Sequence, residues 1–165
     1  MTAGAPAIVF AGDDDDDDDD KKDKKDNHQK KKKKLKLKVK SRLEFGTVAS
    51  DIAVPGTVII NASTGSKTVT GGAIDFGGHH RRIKLQIKGE RYSIVYVTLP
   101  SSIRLKQKHG HGTALVDGFT LNQSNPLNLG HDGKETVYVG AIMHLNANQP
   151  AAKYRGRVDI EVDYQ

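Results

Sequence analysis

The last residues of the chain, Arg157 to Gln165, alternate polar and apolar side chains without interruption. Successive side chains of a strand point to opposite faces, so this pattern puts one set in a core and the other in water. The apolar set of this closing strand is Val158, Ile160, Val162 and Tyr164. A terminus normally frays unless a sheet holds it, so the end of the chain is predicted to belong to the core.

The middle of the chain consists of short apolar or alternating runs separated by Gly, Pro, Asn and Ser. This spacing is typical of an all-β sandwich or barrel, and no helical stripe interrupts it. We therefore predict an antiparallel immunoglobulin-like β-sandwich over residues 34–165. The glycine pairs Gly71-Gly72 and Gly77-Gly78 are predicted bends or bulges of a sheet. The predicted strands after Gly46 are Thr57 to Asn61, Lys67 to Ile74, Arg81 to Lys88, Tyr92 to Leu99, Ser102 to Lys106, Thr113 to Asn122, Glu135 to Asn146 and Tyr154 to Tyr164.

Two charged blocks of opposite sign precede this body. Asp13 to Asp20 is solid aspartate, and Lys21 to Lys40 is dominated by lysine. Such blocks repel themselves and bury no apolar surface, so residues 13–33 are predicted to be a disordered leader. One alternative is weak Ca²⁺ binding by the aspartates, although they lack the spacing and turn glycine of an EF-hand. Another is polyanion binding by the lysines through charge alone. Specific nucleic-acid binding is not predicted, because no aromatic residue interleaves with the lysines.

The amino end, Met1 to Ala11, is small and apolar, and Val9-Phe10-Ala11 has the residue spacing that signal peptidase accepts. We interpret residues 1–12 as the end of a signal peptide whose basic region lies upstream, with an ordinary frayed terminus as the alternative. Cleavage would give a mature chain that begins near Gly12 or Asp13. This interpretation predicts a secreted, periplasmic or cell-surface protein, and the apolar runs are too short for a membrane span.

A second alternating strand stands at the end of the leader. Its apolar residues occupy every second position. Lysines, Arg42 and Glu44 occupy the positions between them. Nothing close in sequence forces this segment to pair within its own domain, so it is a candidate assembly strand for β-augmentation. The residues of the candidate are Leu35, Leu37, Val39, Leu43 and Phe45.

Candidate chemistry is sparse. Cysteine is absent, which excludes disulfides and thiolate metal sites. The pairs His79-His80 and His109-Gly110-His111 have the side chains that Zn²⁺ or Cu²⁺ prefers, but they lie in predicted turns. The weak metal candidates are Asp13, Asp14, Asp15, Asp16, His109 and His111. No carboxylate pair or nucleophile elbow is present, so we predict neither an enzyme nor a cofactor.

Several short motifs occur in a recognisable order. They are Leu43-Glu44-Phe45-Gly46-Thr47-Val48, Thr68-Val69-Thr70-Gly71-Gly72, Tyr92-Ser93-Ile94, Leu99-Pro100, Val139-Gly140-Ala141, Ala147-Asn148-Gln149, Tyr154-Arg155-Gly156 and Val162-Asp163-Tyr164-Gln165. On these motifs the chain resembles the bacterial secreted family known as domain of unknown function 4402, over about Leu43 to Gln165. The resemblance implies a secreted or surface-exposed β-sandwich without an established activity. Members usually carry a small and apolar stretch before the first motif, and here a lysine-rich stretch replaces it.

The chain also resembles, more loosely, subunits of chaperone–usher fimbriae. Those end in an alternating strand with a penultimate tyrosine, as Tyr164 is here, and begin with an extension that inserts into a neighbour. This chain has no disulfide pair, and Ala152 stands where such subunits have glycine. We therefore expect an exported structural or adhesive surface protein that assembles by strand addition through residues 35–45. Its partners would be other copies, other surface subunits or a periplasmic chaperone. The alternative is a monomeric extracellular binding module whose leader contacts Ca²⁺ or polyanions.

Overall fold

The fold is known from a computed structural model, which describes residues 5–10 and 32–165. Within these residues every regular element is a β-strand, and all strand pairs are antiparallel. The all-β antiparallel prediction is therefore confirmed. The strands are β1 (Ala5–Phe10), β2 (Lys36–Ser41), β3 (Glu44–Phe45), β4 (Val48–Ser50), β5 (Gly56–Ile60), β6 (Lys67–Gly71), β7 (Ala73–Asp75), β8 (His80–Arg81), β9 (Ile83–Lys88), β10 (Ile94–Thr98), β11 (Ser102–Gln107), β12 (Thr113–Leu121), β13 (Leu127–Asn128), β14 (Lys134–Leu145), β15 (Tyr154–Arg155) and β16 (Arg157–Tyr164).

The smaller of the two main sheets contains the closing strand and has the order β1-β16-β10-β13. On β10, Val95 and Val97 are buried while Tyr96 is exposed, as expected for a strand with one face in water. Val97 lies directly opposite Val162 of β16. The inner face of this sheet is thus built from β-branched side chains that suit a pleated surface.

The larger sheet is organised by β14, which has a length of 12 residues. Its first half pairs with β9 and its second half with β5 along the same edge, while β12 pairs along the other edge. Strands β11 and β15 extend the sheet beyond β12, β6 lies outside β5, and β2 lies outside β9. Gly140 stands where β9 gives way to β5, and a Cβ there would lie 2.2 Å from the carbonyl oxygen of Ile60. Only glycine permits this close approach.

Both main sheets contribute side chains to one apolar core. Its members include Val95, Val97, Val158 and Ile160 from the smaller sheet and Val58, Ile83, Leu85, Val139 and Met143 from the larger one. Burying each such side chain stabilises the fold by about 1.5–3 kcal/mol relative to leaving it in water. Two short ribbons, β3 with β8 and β4 with β7, lie beside the main sheets.

Some predictions lie outside the described residues. The aspartate run and most of the lysine-rich leader fall within residues 11–31, so the disordered leader stays a prediction. Among the described residues, no helix is long and apolar enough to cross a bilayer.

Candidate functional site at the edge of the closing strand

The closing strand β16 is paired along both of its edges. Val158, Ile160 and Val162 are fully buried, as their alternation predicts, and Tyr164 is half-buried. One edge pairs with β10. The other edge pairs with β1, from Ala5 opposite Val162 to Phe10 opposite Arg157. The strand nearest the amino terminus therefore pairs with the strand at the carboxyl terminus.

Strand β1 also lies close to β2. It thus occupies the gap between β2 at the margin of the larger sheet and β16 in the smaller sheet. Residues 11–35 connect β1 to β2 in the sequence. The alternation of the sequence gives no sign of this pairing, because residues 5–10 read as a continuous small and apolar run.

The candidate assembly strand forms the first part of the larger sheet and of the β3 ribbon. Leu35, Leu43 and Phe45 are buried, and Leu37 and Val39 are partly buried and pack against the core. Strand β2 pairs with β9 of the same chain. In this arrangement the apolar side chains of residues 35–45 face the core, as the sequence predicts.

Tyr164 joins the closing strand to the point where the leader enters the fold. Its hydroxyl accepts a hydrogen bond from the backbone amide of Glu90 at 2.7 Å and donates one to the carbonyl of Lys33. The ammonium of Lys32 lies 5.4 Å from the centre of the ring. A Cβ at Gly89 would lie 2.6 Å from the Tyr164 oxygen, so glycine makes room for this contact. The sequence places Tyr164 on the right face but does not reveal this hydrogen bonding.

The family model described as domain of unknown function (DUF4402) matches residues 35–164. The chain belongs to this family. The match begins at Leu35, just before β2, and ends at Tyr164, so β1 and the charged leader lie outside the family domain. Comparison with curated proteins and with solved structures gives no match.

One motif of this DUF4402 domain serves as a hydrogen-bonding hub. The backbone amide of Gln149 donates to Ser50 Oγ at 2.8 Å, and its side-chain oxygen accepts from the amide of Asn146 at 2.6 Å. Its side-chain nitrogen donates to the carbonyl of Thr113 at 2.8 Å and to the hydroxyl of Tyr154 at 3.1 Å. Burial raises the pKa of Tyr154. Gln149 therefore fastens the loop before β15 to the end of β4 and to the start of β12.

The histidines of this DUF4402 protein are dispersed. His109 and His111 are exposed in the turn between β11 and β12, while His144 contacts Asp117 on β12, with 2.7 Å between Nε2 and Oδ1. Within residues 5–10 and 32–165, no group of three or more His, Cys, Asp or Glu side chains could hold a metal ion. The candidates Asp13, Asp14, Asp15 and Asp16 lie outside the described residues.

Proposed function

We propose that this DUF4402 protein is an exported structural or adhesive surface protein, a fimbria-like subunit with an immunoglobulin-like β-sandwich, whose copies join by strand addition. The observation that carries the proposal is the position of β1. A strand from outside the family domain fills the gap between β2 and β16, along six residues of the closing strand.

The outer edge of β16 needs a partner strand. Without β1, a row of backbone N–H and C=O groups between Arg157 and Val162 would lack its hydrogen-bonding partners. An extended segment that adds to such an edge gains affinity from backbone hydrogen bonds. The same edge therefore accepts residues 5–10 from its own chain or from another copy with the same pairing.

The leader is long enough for exchange between copies. The 22 residues from 11 to 32 separate β1 from Lys33, whose carbonyl accepts the hydrogen bond of Tyr164. Fully extended, they span about 70–80 Å at about 3.3–3.6 Å per residue. A segment on such a tether can leave its own β16 and pair with the β16 of a neighbour, as in domain swapping. Residues 35–45, with three buried apolar side chains, stay with their own domain in this scheme.

Signal-peptide cleavage has a definite consequence for this proposal. A mature chain that begins near Gly12 lacks residues 5–10, and the outer edge of β16 is then free for a strand from a different subunit or from a periplasmic chaperone. The intact mass of the protein recovered from the cell exterior identifies which form is used.

The exchange is tested with paired cysteines, because the chain has none of its own. Ile8 lies directly opposite Asp159 in the register of β1 and β16. We expect the full chain carrying Ile8→Cys and Asp159→Cys to give a ladder of disulfide-linked multimers after oxidation at high protein concentration. Cross-linked monomer alone would show that the strand stays in its own chain.

A matched control carries Ile8→Cys with Ser102→Cys, which lies on β11 of the larger sheet and not beside β1. This variant should give no ladder. In addition, a chain without residues 1–12 should stay monomeric in light scattering and should bind a synthetic peptide of residues 4–11. Equal self-association with and without residues 1–12 would contradict the proposed donor.

A further inference from the structure

A cleft of about 130 Å³ lies between the β3–β8 ribbon and β15. Its floor is apolar and buried, with Leu43, Phe45 and Tyr154 exposed by 3%, 5% and 9%. Its walls are largely basic. The basic residues that line it are His79, Arg81, Lys108, Lys153 and Arg155.

The basic side chains are held together by the strand register. Lys106 on β11 lies directly opposite Arg155 on β15. Two residues further along, the backbone amide of Lys108 donates to the carbonyl of Lys153 at 2.8 Å. The register therefore places basic residues side by side at the margin of the cleft.

The acidic residues do not neutralise the cleft. Glu44 is the single carboxylate among the described residues that line it, and it is 3.3 Å from Arg81 across the β3–β8 ribbon. Within the part of the chain that the structure describes, Lys108, Lys153 and Arg155 have no carboxylate within ion-pairing distance. Three cationic groups are thus left facing the solvent of one cleft.

A second cavity of about 260 Å³ adjoins the cleft and shares Lys108 and Lys153 with it. His109 lines this second cavity. The cleft and the second cavity therefore form one basic surface that is longer than a single inorganic anion. The neighbouring lysine charges disfavour a metal cation at His109 and favour an anion.

We propose that this cleft binds an acidic oligosaccharide through its sulfate or phosphate esters. The guanidinium of Arg155 offers the planar fork that suits a tetrahedral oxyanion, and Lys108 and Lys153 add point charges. Nucleic acid fits less well, because the aromatic rings of the cleft, Phe45 and Tyr154, are buried and offer no stacking platform. This site is independent of β1 and of the strand exchange, and it gives the surface protein a class of ligand.

The test measures binding of a heparin-derived hexasaccharide to the full chain by calorimetry at about 150 mM salt, where charge attraction to the lysine-rich leader is screened. We expect the variant Lys108→Gln/Lys153→Gln/Arg155→Gln to bind at least about tenfold more weakly, since three charge-assisted contacts are lost. Arg155→Lys alone should also weaken binding, because it keeps the charge but removes the fork. If the triple variant fails to fold, Lys108→Gln/Lys153→Gln changes only exposed side chains and serves in its place.

The matched control removes the same charge from lysines that do not line the cleft. Lys36 of β2, Lys88 of β9 and Lys134 of β14 lie in one row across three strands. The variant Lys36→Gln/Lys38→Gln/Lys134→Gln loses three exposed lysines from this face and should bind the hexasaccharide with nearly unchanged affinity.

Three results would overturn the assignment. The first is an unmodified chain that does not bind the hexasaccharide. The second is a control variant that loses as much affinity as the cleft variant, which would indicate diffuse charge attraction. The third is single-stranded DNA of equal charge that binds as tightly and loses the same affinity in the cleft variant.

Discussion

The hydroxyl oxygen of Tyr164 lies 2.7 Å from the backbone nitrogen of Glu90, 74 residues earlier in the chain, and accepts its hydrogen bond. The same hydroxyl donates to the carbonyl of Lys33. One side chain next to the carboxyl terminus therefore connects the turn after β9 with the residues that lead into β2. This contact holds the margin of the larger sheet against the closing strand of the smaller one.

Removing this hydroxyl should destabilise the domain. We expect Tyr164→Phe to lower the free energy of unfolding by about 1–3 kcal/mol, because the Glu90 amide and the Lys33 carbonyl both lose a partner. Urea denaturation measures the loss. Tyr96→Phe is the matched control, since Tyr96 is exposed on β10. Equal stability of the two variants would show that the Tyr164 contact contributes nothing.

Gln149 should be equally sensitive. We expect Gln149→Ala to lower the free energy of unfolding by about 2–3 kcal/mol, because the Asn146 amide and the Thr113 carbonyl lose the side-chain partners that they now have. Gln86→Ala, on the outward face of β9, should cost less than about 0.5 kcal/mol. Thermal unfolding of the two variants in parallel checks this difference. A Gln149 variant as stable as the Gln86 variant would contradict the hub.

Gly140 should not tolerate a side chain. In Gly140→Ala the new Cβ would lie 2.2 Å from the Ile60 carbonyl oxygen, so β14 and β5 must separate where β14 changes partner. We expect a loss of about 3 kcal/mol or more in stability. Gly130→Ala meets no atom within 4 Å but has a φ of +63°, and should cost about 1–2 kcal/mol. Urea denaturation should give a lower midpoint for Gly140→Ala than for Gly130→Ala. The reverse order would contradict the close approach at Gly140.

Asp75 should make the free energy of unfolding decrease at acidic pH. The hydrogen bond from Lys67 at 2.6 Å, and then that from the Gly77 amide, hold the pKa of Asp75 below its usual range. Because the folded pKa is lower than the unfolded one, the contribution is present above about pH 4 and is lost as pH falls further. Asp75→Asn should flatten the decline of unfolding free energy below about pH 4. Lys67→Met should do the same, and an unchanged slope in both would disprove the link.

Much of the strand pattern was predictable because alternation records which face is buried. The run Arg81 to Lys88 predicts inward side chains at Ile83, Leu85 and Ile87, and β9 buries all three. Glu135 to Asn146 predicts one long strand, which the structure gives as Lys134–Leu145. The predicted strand Lys67 to Ile74 is instead divided into β6 and β7, because Gly71 takes a φ of +63°. The predicted bend at Gly71-Gly72 is confirmed there. The predicted strand Tyr154 to Tyr164 is likewise divided, at Gly156, into β15 and β16.

Pairing between distant segments was not predictable from local pattern. Alternation says that the closing strand is buried, but it does not say that β1 lies along the outer edge of β16. The basic margin of the cleft is similar. The three strands β12, β13 and β14 lie between Lys106 and Arg155 in the sequence, and the two residues meet only through the register of β11 and β15. No sequence motif connects these two basic residues. Such juxtapositions depend on topology, which a single sequence specifies only weakly.

The source of the strand on the outer edge of β16 decides whether the stability of the domain depends on protein concentration. If the strand stays in its own chain, the melting temperature is the same at every protein concentration. If it comes from a neighbour, the neighbour acts as a ligand of the folded state, and the melting temperature rises as the protein is concentrated. In a crowded filament each copy would then be most stable where its neighbours are most abundant, and a released copy would be the easiest to unfold.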